Sequence, residues 1–217
     1  MCLQLGVVLA RFGRKEEAVT VLKQGLQHSS SLLSLQLNRA LVEVYHQTGN
    51  YEKAVEVGES ALVSAGSQFE VLELLQLVYF LIYSHYNLNN ESRGREIATH
   101  WTINVAAESL QSLFALQCLE AEKKHREGSK EEAVGLYEAA LQTFGVQSTY
   151  LAVHSRFVLG WLNADLNRHQ KALESYLQAA FLYSAHFPHT LNYANCLNNL
   201  AAVYESMKIV ARLNRNS

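Results

Sequence analysis

The sequence predicts an all-α solenoid of stacked helical pairs, and three observations carry that expectation. First, a chain of 217 residues holds a single proline, Pro188, and only 11 glycines. Proline inside a helix removes a hydrogen bond and clashes with the preceding turn, so helices exclude it. A β-sandwich or α/β domain of this length draws on more glycine and proline to shape its turns. Second, 49% of the residues are hydrophobic, which is enough to bury a core and too many for disorder. Third, one register of residue types recurs along the chain.

That register is visible in four stretches. Leu5-Gly6-Val7-Val8-Leu9 leads to Gly13-Arg14-Lys15-Glu16-Glu17-Ala18, and Leu41-Val42-Glu43-Val44-Tyr45 to Gly49-Asn50-Tyr51-Glu52-Lys53-Ala54. Glu120-Ala121-Glu122 leads to Gly128-Ser129-Lys130-Glu131-Glu132-Ala133, and Leu159-Gly160-Trp161 to Asn167-Arg168-His169-Gln170-Lys171-Ala172. A small residue in the first helix lets the second approach closely. The Gly or Asn ends the first helix in a left-handed cap. The Ala opens the apolar face of the second helix, continued one turn on by Leu22, Tyr137 and Tyr176. Between Ala54 and Ala133 the distance suits two units. A degenerate unit fits there, with a helix face Tyr79, Ile82, Tyr83 and Tyr86, a polar turn from Asn87 to Gly94, and Ala98 at the expected point. A sixth first helix runs through Leu197, Leu200, Ala201 and Tyr204.

These units resemble the tetratricopeptide repeat, a helix–turn–helix of about 34 residues. Departures include Gly58, where an aromatic is expected, and Glu120, where a leucine is. The stretch from Pro188 to Tyr204, with Leu197-Asn198-Asn199-Leu200-Ala201-Ala202-Val203-Tyr204, resembles the longer repeats of kinesin light chains. The resemblance implies a right-handed superhelical solenoid, read here as one domain with units at 1–30, 31–66, 67–108, 109–147, 148–186 and a partial 187–217. Helices are expected near 2–12, 15–28, 31–47, 51–64, 68–87, 92–107, 110–126, 130–144, 149–166, 170–184 and 190–207. Such units bury their apolar faces only by stacking.

Charge and cysteine content narrow the function classes. A net charge of -2 offers no basic excess for a phosphate backbone, so nucleic acid is disfavoured as a partner. Cys2, Cys118 and Cys196 are odd in number and far apart, which reads as reduced thiols in a cytoplasmic or nuclear protein that is not secreted. The apolar run Leu77-Val78-Tyr79-Phe80-Leu81-Ile82-Tyr83 is too short for a bilayer, which takes about 20 residues, so no membrane is expected.

No catalytic constellation is legible. The cysteines lack a positioned His and Asn, and no GxSxG or phosphate-cradling glycine loop occurs. Gly94 reads as part of a polar loop. His186 and His189 straddle Pro188 and mark a turn, whereas zinc generally takes three or four convergent ligands. His46, His85 and His125 fall near the ends of first helices, where a partly exposed ring would complement the helix dipole. No enzyme activity, metal or cofactor is expected.

A binding function has a positional basis. In repeats of this type the first helices line the concave face, which here places Arg39, Glu43 and His46, then Tyr83 beside Phe80 and Ser84, Cys118, Glu122 and His125, Phe157 and Trp161, and Asn198 and Glu205 toward a ligand. Phe80, Phe157 and Trp161 equally suit sealing the core between units. The Lys and Asn clamp with which some such repeats hold acidic chaperone tails is absent, and Glu43 and Glu122 would repel a carboxylate. The expected partner is therefore a protein, engaged through an extended peptide or amphipathic helix. An RNA-binding or regulatory helical repeat is the alternative. The sixth unit lacks its second helix: either residues 205–213 lengthen the last helix, or the chain is a piece of a longer assembly subunit, the reading favoured here. Val203, Met207 and Val210 would then form an apolar patch for self-association.

Overall fold

The computed structural model describes residues 1–64, 70–106, 109–144 and 149–213. Eleven helices and no strand occur among the described residues. In chain order they are α1 (Cys2–Arg11), α2 (Lys15–Leu26), α3 (Ser31–Gln47), α4 (Tyr51–Ser64), α5 (Val71–Asn87), α6 (Glu91–Asn104), α7 (Leu110–Arg126), α8 (Lys130–Phe144), α9 (Tyr150–Asp165), α10 (His169–His186) and α11 (Leu191–Leu213). Residues 68–69 and 107 of the expected helices lie outside the described residues, as do the expected unit boundaries near 66, 108 and 147. The last helix runs on to Leu213 instead of ending near 207, so residues 205–213 do lengthen it.

One local device builds every pair. Gly13, Gly49, Asn89, Gly128 and Asn167 all take positive φ, between 57° and 88°. One residue later the chain bonds back across the helix end: Arg14 to Leu9, Asn50 to Tyr45, Asn90 to His85, Ser129 to Lys124 and Arg168 to Asn163, with N···O distances of 2.8–3.0 Å. This six-to-one closure satisfies carbonyls that the helix leaves without partners and turns the chain into the next helix. The degenerate unit uses it too, at Asn89. Its second helix therefore starts at Glu91, and Gly94 lies inside α6, not in the polar loop expected from sequence. A Cβ there would come within 3.2 Å of the Tyr86 ring.

The recurring alanines are the pivots of the packing. Ala18, Ala54, Ala98, Ala133 and Ala172 each have 0% exposure. Facing them, the small first-helix positions admit a large neighbour: a Cβ on Gly6 would sit 2.5 Å from Leu22, and one on Gly160 would sit 2.7 Å from the Tyr176 ring. Gly58 is small because Leu81 of the following unit fills the space, 2.9 Å from where a Cβ would stand. Each second helix packs on its own first helix and on that of the next unit, and the first helices α1, α3, α5 and α7 contact one another in series.

Three glycines test this account separately. Gly160→Ala, forced against Tyr176, should lower stability by ~1–3 kcal/mol. Gly128→Ala meets no neighbour within 4 Å but takes a strained φ, and should cost ~1–2 kcal/mol. Gly135 is exposed inside α8 with open space around it, so Gly135→Ala should stabilise by ~0.5–1 kcal/mol. Urea denaturation midpoints measure all three, and a stabilised Gly160→Ala would contradict the close approach.

Candidate functional site

The inner face is not one continuous groove. The turn between α10 and α11 lies across it and meets the first two units. The Arg11 guanidinium stands 5.7 Å above the Phe187 ring. His189 and Leu191 press on the caps at Gly13 and Gly49 so closely that a Cβ on either glycine would clash at about 2.9 and 2.8 Å. At the centre, the Asn192 amide nitrogen lies 3.2 Å from His46 Nε2, 3.0 Å from the Tyr150 hydroxyl and 3.2 Å from His154 Nδ1. Its two protons serve three acceptors. With those ring nitrogens accepting, the remaining protons sit on His46 Nδ1 and His154 Nε2, and both atoms are buried with no hydrogen-bond partner among the described residues.

This bridge divides the expected ligand-facing residues. On one side is a cavity of about 180 Å³ bordered by Arg39, Glu43, Gln47, Gln76, Tyr150 and Phe187. Here Arg39 is committed, with Nε 2.6 Å from Glu73 and Nη1 2.9 Å from Glu43. On the other side is a cavity of about 410 Å³ walled by Tyr83, Tyr86, Asn87, His125, Arg126, Phe157, Trp161, Asn195, Asn198 and Asn199. It brings together five expected residues: Tyr83, His125, Phe157, Trp161 and Asn198. Trp161 is 40% exposed and its ring centroid lies 4.9 Å from that of His125, while Phe157 is buried and seals the wall. Phe80, Ser84 and Cys118 are buried as core. Glu205 lies outside both cavities, exposed on α11 and paired with Lys208 at 2.6 Å.

Two expectations need correction. His46, His85 and His125 are buried, not partly exposed at helix ends: Phe80, Tyr83 and Asn192 pack on His46, Glu59 of α4 lies 3.3 Å from His85, and Trp161 and Glu122 flank His125. Glu122 has no exposed surface, so it does not present its charge to a ligand. Its Oε1 accepts from Arg126 Nε at 2.7 Å, and its Oε2 faces the Tyr137 hydroxyl at 3.2 Å and His125 Nδ1 at 3.4 Å. Burial pushes its carboxyl up, but the Arg126 charge and the His125 contact outweigh that and hold it down to about 2. Arg126, Asn192, His154, Asn195 and Asn199 were not foreseen. Asn192 meets His46 across 146 positions, a separation at which helical spacing carries no signal.

The buried histidines give stability a defined pH dependence. Burial drives the His154 ring down to about 4, with Glu122 pulling up and Arg126 down, and lowers His46 well below 6.5, aided by His154. In the unfolded chain both rings take up protons near 6.5, so between about 4 and 6.5 the unfolded state binds more protons. Stability is then fully present above about 6.5 and is lost as pH falls through that window. The His154 contribution alone is on the order of 3 kcal/mol. The urea midpoint should drop between pH 7.5 and pH 5, and drop less in His154→Gln; equal wild-type midpoints would refute the burial argument.

Comparison with known proteins places this geometry. No curated protein matches in sequence. PlcR of Bacillus thuringiensis, solved in complex with the peptide PapR7 and DNA, is 10% identical with a TM-score of 0.63, over 93% of this chain and 72% of that one. A kinesin light chain protein from Podosopora anserina with nearly identical TPR-like repeats is 18% identical with a TM-score of 0.51, over 85% and 93%. The human IFIT1 dimer with m7Gppp-AAAA is 13% identical with a TM-score of 0.58, over 90% of this chain and 43% of that one. At these identities the likeness is one of fold. No described helix is long and apolar enough to cross a membrane. The sequence pattern of the tetratricopeptide repeat matches residues 3–68 and 125–186, more than half of the chain, and the repeated caps and buried alanines are its structural counterpart: the chain belongs to the tetratricopeptide repeat family.

Proposed function

We propose that this chain is a non-catalytic scaffold or adaptor that holds a peptide segment of a partner protein in the larger cavity, between α5, α7, α9 and α11. The observation that carries the reading is the wall of that cavity. Trp161 offers a half-exposed aromatic face beside the primary amides of Asn195 and Asn198, which have no side-chain hydrogen bond among the described residues. An amide both donates and accepts, so it matches an extended peptide backbone, while the indole takes an apolar side chain. A non-catalytic role fits the two buried thiols: burial raises Cys118 and Cys196 to about 12, leaving each a poor nucleophile. A reducing compartment, cytoplasmic or nuclear, belongs to the same proposal, since no two of the three cysteines are bonded.

Pull-down with the wild-type chain and with Trp161→Ala plus Asn198→Ala tests the site. Both side chains are exposed, so the double variant should fold normally and bind at least about tenfold more weakly, as loss of a central aromatic anchor does. Full retention of the specific partners would refute this location.

The surface we propose for self-association differs from the one expected from sequence. Val203 is buried and Met207 half-buried against the core, and Val210 lies outside the described side chains. Leu197 and Tyr204, each 43% exposed, form the apolar face of α11 instead. Sedimentation at high concentration should show an associating wild type and a monomeric Leu197→Lys, Tyr204→Lys variant. Identical behaviour of the two would remove that face as the contact.

A further inference from the structure

Arg126 has a feature that a core ion pair does not need. Its guanidinium is fixed along one edge, where Nε bonds Glu122, and its plane rests over two rings, with Cζ 4.3 Å from the Tyr86 centroid and 5.5 Å from that of Tyr83. The two terminal nitrogens have no hydrogen-bond partner among the described residues, and the side chain, 27% exposed, forms part of the wall of the larger cavity. A guanidinium carries five donors in a rigid fork that fits a carboxylate on two of them. Here one donor is spent on holding the fork in place and four remain. The carboxylate that balances the charge is buried beneath, and no acidic side chain is among the described residues lining the cavity. The opening therefore presents donors to whatever enters it.

Resting on the peptide-binding reading above, we propose that this cavity selects a peptide bearing an Asp or Glu side chain, whose carboxylate is gripped by the terminal nitrogens of Arg126. An apolar side chain of the same peptide lies on Trp161, and the peptide backbone pairs with Asn195 and Asn198. Those two asparagines are one helical turn apart, a rise of about 4.5 Å, against about 3.3 Å per residue of extended chain. They thus bracket roughly one residue, with backbone on both sides of it, as an internal acidic residue provides and a chain terminus does not. A doubly charged phosphate is a poorer fit, because among the described lining residues Arg126 is the single permanent cation, already paired with Glu122, and none is a lysine. Glu122 does not repel the carboxylate of such a peptide, because it is fully buried and bonded to the Nε edge of the guanidinium, where it aims the fork.

The test uses the full chain and a library of acetylated, amidated octapeptides labelled with fluorescein. Each carries Phe beside a central Glu, Asp, phosphoserine, Gln or Ala, with the other positions randomised; a parallel series has a free carboxyl terminus. Fluorescence polarisation should rank Glu or Asp at least about tenfold above Gln, with the free terminus adding nothing. In Glu122→Gln with Arg126→Gln, which removes both charges together, acid and amide should bind within about twofold while Trp161→Ala still weakens both. Should that variant fail to fold, the wild type decides: its acid-over-amide ratio must shrink as salt rises from about 0.05 M to about 0.5 M. Equal binding of acid and amide, a preference that survives in the double variant or is indifferent to salt, or a stronger response to phosphoserine or to the free terminus overturns the proposal and leaves the peptide site standing. Absence of any peptide binding, or binding that Trp161→Ala does not alter, overturns the peptide site itself.

Discussion

Five alanines without exposed surface, one at the start of each second helix, set the distance at which the paired helices meet, and the rest of the architecture follows from that distance. Helices held this close need a small partner opposite, which Gly6 and Gly160 supply to Leu22 and Tyr176. They also need a connection of only a few residues, and the left-handed cap provides it five times. With the spacing fixed, large side chains fill the layers between units. Tyr79, Tyr137, Tyr176 and Tyr183 are all fully buried, and the Tyr79 and Tyr137 hydroxyls lie 3.1 Å apart. A stack built this tightly transmits the position of one unit to the next, because dense interiors have little room to adjust.

The polar interior is the costly part of the structure. His46 and His154 each keep one ring nitrogen without a partner among the described residues, and buried groups of this kind cost free energy that a hydrocarbon would not. Their gain is in position: together with Tyr150 they hold Asn192, and through it the last helix, against the second unit. The ion pairs between neighbouring units work differently. Arg39 to Glu73, Arg93 to Glu59, Arg168 to Glu131 and Lys171 to Glu138 join residues 33–37 apart, so they repeat with the units. Apart from the well-shielded Arg39 pair they are substantially exposed, and exposed pairs contribute little each. They mark the period more than they hold it.

The two cavities differ in how far their polar groups are already satisfied. Around Arg39 the guanidinium is matched to two carboxylates, so that side of the inner face is internally complete. Around Arg126 the inward edge is satisfied and the outward edge is not, and the same contrast separates the buried Phe157 from the half-exposed Trp161. Binding capacity resides in groups that the fold orients but does not saturate.

The sequence by itself determined the helix order, the caps and the buried alanine register, because each depends on residues within one or two turns of each other. Gly13, Gly49, Gly128 and Asn167 were legible as caps, and Ala18, Ala54, Ala98, Ala133 and Ala172 as pivots. It also named Tyr83, His125, Trp161 and Asn198, since position on a first helix is a local property. Only the tertiary structure decided which of the inner-face residues remain accessible. The small rotation between successive units accumulates until the turn at 187–190 and the start of α11 meet the first two units, so His46 is covered by a residue 146 positions away. Glu122 looked like a groove carboxylate and became the buried counter-charge of Arg126 because Tyr137 and His125 close over it. Those outcomes are set by how the curvature of the whole stack brings distant surfaces into contact, and no spacing within a helix encodes it.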